Sequence, residues 1–383
     1  MNAAQPIRIC FIAPTIYGVY NPQVRTPCTG GDLQIYELVK FLARNESFDI
    51  HLVTDDYGQQ ETEFYNGALL HRATLTSELP FWQKVLGRTN AFEELLKQIN
   101  AHLYFMAGAS GLTYRVAQFC RKHKRAFIFR IIHQRDCDGT FVHGNAHEGH
   151  LYKQALQLTH LILCQTHEQK KLLLRTERKN SLVIRNGIHL PFLQRENSRR
   201  DIIWAGEVLE WKQPEMFLRL ALTFPNHSFT MFAMPRSMDY FERLVGKTKN
   251  IPNLALQNSV PYSELSAYLD QAKLLVNTSR YEGFPFSMTQ ALAHGIPVAS
   301  LNVDPDGLLE KHQIGVCGHG SELKLAQDIS DLLQYERQWI RYHTNARRFA
   351  EEHLDIRKVG AEYQKLFLYM TQPEQEESGS SPG

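Results

Sequence analysis

The stretch Asn277-Thr278-Ser279-Arg280-Tyr281-Glu282-Gly283-Phe284-Pro285-Phe286-Ser287-Met288-Thr289-Gln290, continuing through Gly295 and Pro297 to Ser300, decides how the chain folds. It starts at the end of an apolar run, Leu274–Asn277, that reads as a buried strand. A loop carrying Glu282 and Gly283 follows, then a helix to about His294 with Gly295 as its stop, then a strand Pro297–Leu301. A strand that delivers a polar loop to the start of a helix is the repeating unit of a parallel α/β sheet. Ligands bind at the carboxyl ends of such strands, and the unpaired N–H groups of a helix start suit phosphate. Glu282 lies in the loop and Gln290, eight residues on, about one turn inside the helix, so both can face one nucleotide ligand.

Outward from that unit the same alternation covers the chain. Ile202–Ala205 reads as a strand, Pro214 as the first-turn proline of a helix Glu215–Leu222, and Ser228–Met234 and Leu254–Leu256 as strands. Ser263–Gln271 reads as a helix capped by Ser263, with Glu264 in its first turn. In the first half, strand Ile7–Ala13 leads to Gly30-Gly31 before a helix from Asp32, then strand Ile50–Thr54. Strand Leu103–Met106, helix Leu112–Lys122, strand Ala126–Ile132, helix His150–Leu158 and strands Leu161–Cys164 and Leu182–Arg185 follow. The pattern predicts an α/β protein of two doubly wound, Rossmann-like parallel sheets facing across a cleft. The domains drawn from it are 1–185 and 186–355, with a helix 356–370 packing back towards the first domain. The polar tail 371–383 reads as disordered.

A length of 383 residues suits two domains. No apolar run reaches the roughly 18 residues that a membrane span needs. Residues Met1–Pro6 are neither basic nor apolar, and the six cysteines are scattered without a CxxC, which predicts a cytoplasmic chain with reduced thiols. The net charge of +2 averages two unlike halves: residues to Arg185 hold 22 Lys+Arg against 16 Asp+Glu, and the remainder is acidic. The run Arg121-Lys122-His123-Lys124-Arg125 offers a peripheral contact to an anionic membrane face or a lipid-diphosphate acceptor. No aromatic-interleaved strand motif accompanies it, which argues against nucleic acid. His143, His147 and His150 do not form HExxH or any usual zinc spacing and read as polar lining, so no metal is expected. Gly30-Gly31 is not GxGxxG, which speaks against a dehydrogenase.

Glu282-Gly283-Phe284, Gln290-Ala291, Gly295 and Pro297-Val298 resemble the donor-binding signature of the GT-B retaining glycosyltransferases of family 4 (glycosyl transferases group 1). Gly206 with Lys212 resembles that family's GRxxxxKG element, and Asn186-Gly187 resembles its interdomain turn, to which the composition alone assigns no chemistry. Gly30-Gly31 and His133 fall where the family places a glycine pair and an active-site histidine. The resemblance is strong over about residues 182–307 and rests on the order of elements before that.

It implies an acceptor-binding first domain and a donor-binding second one. Glu282 would accept hydrogen bonds from donor sugar hydroxyls, and Lys212 would neutralise the leaving diphosphate. The N–H groups of Gly283 and Phe284 would approach the diphosphate, beside Pro285, which has none. Gln290 would bind the ribose, His133 the transferred sugar, and Gly30 and Gly31 would allow close backbone approach. The implied donor is a UDP- or GDP-sugar and the acceptor a glycan or lipid-linked glycan of surface polysaccharide assembly, with no resident cofactor or metal. Two residues depart from the family pattern. Gln290 replaces the second acid of the signature and weakens a charge-assisted contact. Glu207 stands where an Arg is usual, and a carboxylate there repels a diphosphate unless it turns away or another base offsets it. These departures motivate a competing expectation, a silent nucleotide-sugar-binding partner subunit; an epimerase on the same fold is the enzymatic alternative.

Overall fold

The computed structural model describes residues 5–24, 26, 28–75, 88–144, 146–192, 199–258 and 260–372, so the tail from residue 373 lies outside the described residues. The first sheet has eight strands: β1 (Ile7–Ile12), β2 (Phe48–Thr54), β3 (Thr62–Tyr65), β4 (Ala68–Arg72), β5 (Leu103–Ala107), β6 (Ala126–Arg130), β7 (Leu161–Cys164) and β8 (Leu182–Val183). Their order is β3-β4-β2-β1-β5-β6-β7-β8. The second sheet holds β9 (Asp201–Val208), β10 (Phe229–Pro235), β11 (Leu254–Asn258), β12 (Ala272–Asn277), β13 (Val298–Ser300) and β14 (Gly315–Cys317) in the order β11-β10-β9-β12-β13-β14. β1 and β12 are buried on both faces, which is why they read as continuous apolar runs rather than alternating ones.

The two parallel sheets are as expected; the second is parallel throughout, and the first is parallel except for its edge strand β3. β3 pairs antiparallel with β4 because Asn66 and Gly67 both take positive φ (50° and 86°), the backbone of a tight hairpin turn. Gly30 and Gly31 do not precede the first long helix; they open it, as the first two residues of Gly30–Leu42, with Thr29 as cap. The helix expected from Ser263 starts at Tyr262, with Pro261 in the cap position. β6 ends at Arg130, so His133 sits at the entry to the short turn Gln134–Asp136 rather than at a strand end. Asn186 and Gly187 form no exposed turn. Asn186 is 1% exposed, and a Cβ on Gly187 would lie 3.0 Å from Cβ of Val359, so this crossing between the sheets is packed solid.

The helix Ile356–Met370 returns to the first sheet. Its Val359, Tyr363 and Phe367 are buried with Ile9, Phe11, Ile35 and Leu38 in one core cluster, each contributing about 2 kcal/mol on burial. Gly360 is the contact point, where the ring of Phe41 leaves no room for a side chain. Arg130, 1% exposed, donates to the Ile184 carbonyl (2.9 Å), to Asn186 Oδ1 (3.0 Å) and to the Tyr363 hydroxyl, tying β6, the crossing and the last helix together.

A buried histidine pair gives this domain a pH dependence. His51 on β2 and His71 on β4 are each 7% exposed, with Nδ1 and Nε2 2.8 Å apart. Burial, aided by the neighbouring His51 and Arg8 charges, lowers the His71 pKa to about 4. The folded form therefore binds fewer protons than the unfolded form, and stability falls as pH drops from about 6.5 towards 4, by roughly 3 kcal/mol for His71. The melting temperature should fall over that window, and His71→Asn should flatten the fall. An unchanged slope in the variant would refute this origin.

Candidate active site in the cleft

β12 ends at Asn277 and releases the loop that carries Glu282. Two hydrogen bonds fix that loop against the turn Glu210–Lys212 after β9: Thr278 Oγ1 donates to the Lys212 carbonyl (2.5 Å) and the Arg280 N–H to the Trp211 carbonyl (2.9 Å). The Trp204 indole in turn donates to Thr278 Oγ1 (2.9 Å). These bonds deliver Lys212 onto Glu282. Glu282 Oε1 accepts from the Lys212 ammonium and from Ser279 Oγ (2.9 Å), with the Glu282 side chain only 5% exposed.

The opposite wall belongs to the first domain. His133 Nδ1 lies 3.7 Å from Glu282 Oε2 and has no hydrogen-bond partner. The His133 loop is shaped by Asp136, whose Oδ2 accepts from the N–H groups of Ile132 (3.2 Å) and His133 (3.1 Å); burial raises the Asp136 carboxyl above its ordinary range. The His133 ring meets Trp211 edge-on at 5.5 Å, and Trp211 stacks on Tyr281 at 5.1 Å. The Lys212 ammonium lies 4.4 Å from the Trp211 ring centre, and Arg135 donates to the Tyr281 hydroxyl (3.0 Å) from across the cleft. Glu282, Lys212 and His133 thus converge from three separate segments.

The two helix starts also meet. A Cβ on Gly30 would lie 3.1 Å from Cβ of Phe286, so the N-terminus of Gly30–Leu42 abuts that of Phe286–Ala293. Gly31 lies beside Ile132. Pro285 occupies the cap position of Phe286–Ala293. The Phe284 N–H donates to Gln165 Oε1 (2.6 Å) and its carbonyl accepts from Asn186 (2.8 Å). Asp306 accepts from the N–H groups of His167 and Glu168 (2.9 Å each), which closes the two sheets onto each other. Gln290 is the fifth residue of its helix and 5% exposed, but it does not line the cavity that Glu282 and Gly283 line. Gly206 lies inside β9, against the ring of Trp204. His143, His147 and His150 are all exposed.

Glu207 is paired with Arg236, the residue after β10, so its carboxylate is offset within the cleft. Sequence reasoning missed Arg236, although it follows a strand expected to end at Met234, the position where ligand-facing residues cluster. It also missed Trp211 and Tyr281, the neighbours of Lys212 and Glu282. Gln165 and Asp306 carry no sequence signal of their role, which exists only because the sheets face each other.

The family model of glycosyl transferases group 1 matches residues 199–335. No curated protein matches the sequence significantly. Among solved structures, sucrose-phosphate synthase from Thermosynechococcus elongatus superposes with a TM-score of 0.76 at 14% identity, over 95% of this chain and 99% of that one. HepE from Anabaena, in complex with UDP and glucose, gives 0.73 at 12% identity over 94% and 99%. A glycosyltransferase from Rickettsia africae gives 0.69 at 12% identity over 96% and 99%. The fold is GT-B. In this GT-B chain the matched segment contains Gly206, Lys212, Glu282 to Pro285 and Gln290, whereas Gly30, Gly31 and His133 lie in the other sheet. Among the described residues no helix of the GT-B chain is long and apolar enough to cross a membrane.

Proposed function

We propose that the protein is a retaining, metal-independent glycosyltransferase that moves a sugar from a UDP- or GDP-sugar to a glycan or glycolipid acceptor in surface polysaccharide assembly. The observation that carries this reading is the pairing of Lys212 with Glu282, opposite His133, within the segment that matches glycosyl transferases group 1. HepE, of the same fold, holds UDP and glucose.

Lys212 rests on Glu282. A diphosphate is the stronger attractor for the ammonium, and its arrival frees the Glu282 carboxylate to accept sugar hydroxyls. Lys212 then meets the charge that grows on the leaving diphosphate, where an oriented cation acts most strongly. His133 faces the transferred sugar, and Gln290 takes the ribose. Arg236 neutralises Glu207, so the carboxylate that stands beside Gly206 does not repel the diphosphate. Exposed Arg121, Lys122 and Lys124 on the first domain suit an anionic acceptor surface, although Lys122 is partly spent on Glu93.

A nucleotide diphosphate at 100 times its Kd should stabilise the protein by about 2.7 kcal/mol. A thermal-shift panel of UDP, GDP and their hexoses should identify one donor, which the protein then transfers or slowly hydrolyses, with Glu282→Gln abolishing turnover. Binding without turnover would favour the silent subunit; no shift with any nucleotide would refute both readings.

A further inference from the structure

A cavity of about 220 Å³ opens beyond Glu282 and Gly283, smaller than the roughly 300–1,000 Å³ that encloses a drug-sized ligand. Its place in the second sheet puts it on the other side of Glu282 from Lys212 and Arg236. In the order β10-β9-β12-β13, Arg236 follows β10, Lys212 follows β9, Glu282 follows β12, and Asn302 and Asp304 of the cavity wall follow β13. A donor that spans the two cations and ends at Glu282 leaves the space beyond β12 unfilled. The facing wall is Glu168 and Gln169, at the start of the helix after β7.

Gln169 is 2% exposed. Its Oε1 accepts from the Gln165 N–H (2.8 Å), which fixes the amide, and its Nε2 is buried without a partner. An unmet buried donor is destabilising, so the group is suited to an acceptor brought by a ligand. The charge balance narrows the ligand class. Of the described residues lining the cavity, with Glu282 already paired to Lys212, one cation, Arg280, faces the carboxylates of Glu168 and Asp304. That surplus repels phosphate, while carboxylates, an amide and a guanidinium together match hydroxyls, which both donate and accept.

We propose that this cavity is the subsite for the acceptor's terminal sugar and that it takes a neutral, hydroxyl-rich ring rather than a phosphorylated head group. It rests on the glycosyltransferase reading above. With a nucleotide diphosphate bound, methyl glycosides of glucose, galactose, mannose and N-acetylglucosamine should be compared with sn-glycerol 3-phosphate and inositol 1-phosphate by saturation-transfer NMR. At least one glycoside should bind and neither phosphate should. Gln169→Glu keeps an oxygen for the Gln165 N–H and removes the free donor; it should weaken glycoside binding at least about tenfold. Glu168→Lys, on an exposed side chain, should instead admit sn-glycerol 3-phosphate. The nucleotide-induced thermal shift, read in every variant, reports folding. If nucleotide binds but no glycoside does, or if Gln169→Glu binds glycosides as the parent does, the subsite is wrong and the enzyme reading stands. If phosphate binds the parent in preference, the ligand class is wrong. If no nucleotide binds, the enzyme reading itself has failed and the subsite falls with it.

Discussion

Lys212→Met is expected to lower kcat for donor turnover by about 10²–10³-fold, the loss typical of removing one oriented group that stabilises transition-state charge. It should also destabilise the protein, because it strips the partner from a buried carboxylate. Removing one member of a buried pair costs about 3–5 kcal/mol, and the lower end applies here because Ser279 still donates to Glu282. The two effects can be separated. In Lys212→Met with Glu282→Gln both charges are gone, so stability measured by urea denaturation should recover most of the loss while kcat stays near zero. If activity recovered with stability, the pair would be a structural salt bridge and the mechanism would be wrong. Lys212→Arg is a poor conservative control, since the larger, planar guanidinium does not fit where a compact ammonium meets Glu282 Oε1.

How much of this was legible in the sequence depends on whether a feature is local. β12, its loop and the helix Phe286–Ala293 are one contiguous segment whose apolar run, Gly and Pro mark each boundary, and Pro214 marks its helix in the same way. The β3–β4 hairpin was readable and missed: Asn66-Gly67 is among the strongest hairpin signals, but the alternating strand-helix pattern absorbed it. Burial of Asn186 was not readable, because Asn-Gly has the composition of a turn and only Arg130 and Phe284, far away in the chain, make it a crossing. The same holds for the cleft. Lys212 and Glu282 were each recognisable from their flanking residues, but the Arg236–Glu207 pair answers a problem posed 29 residues earlier in the chain and depends on β9 and β10 being neighbours. Gln165, Gln169 and Asp306 gain their roles only when two sheets are brought face to face.

That closure sets the second large effect, expected from Gly283→Ala. A Cβ at this position would lie 2.7 Å from Gln165 Oε1 and well inside contact with the Ile132 carbonyl and Gln169 Nε2, all groups of the first domain. The Ile132 oxygen is main chain and cannot swing aside. Nothing within the second domain is among these three nearest neighbours, so alanine is tolerated once the domains part. The variant should therefore keep its secondary structure by circular dichroism but populate an open cleft, with a larger radius of gyration by small-angle scattering. Opening breaks the Phe284–Gln165 bond and both bonds to Asp306, at about 1 kcal/mol each. It also carries His133 away from Glu282. Since a misplacement of about 1 Å can cost 10²-fold in rate, transfer should fall by at least about 100-fold. Nucleotide affinity should hold or rise, because the Phe284 N–H released from Gln165 becomes free to meet a phosphate at the helix start. A variant with unchanged scattering and unchanged kcat would show that the contact at Gly283 does not govern closure. Lost nucleotide binding with intact scattering would place the damage in the donor loop itself.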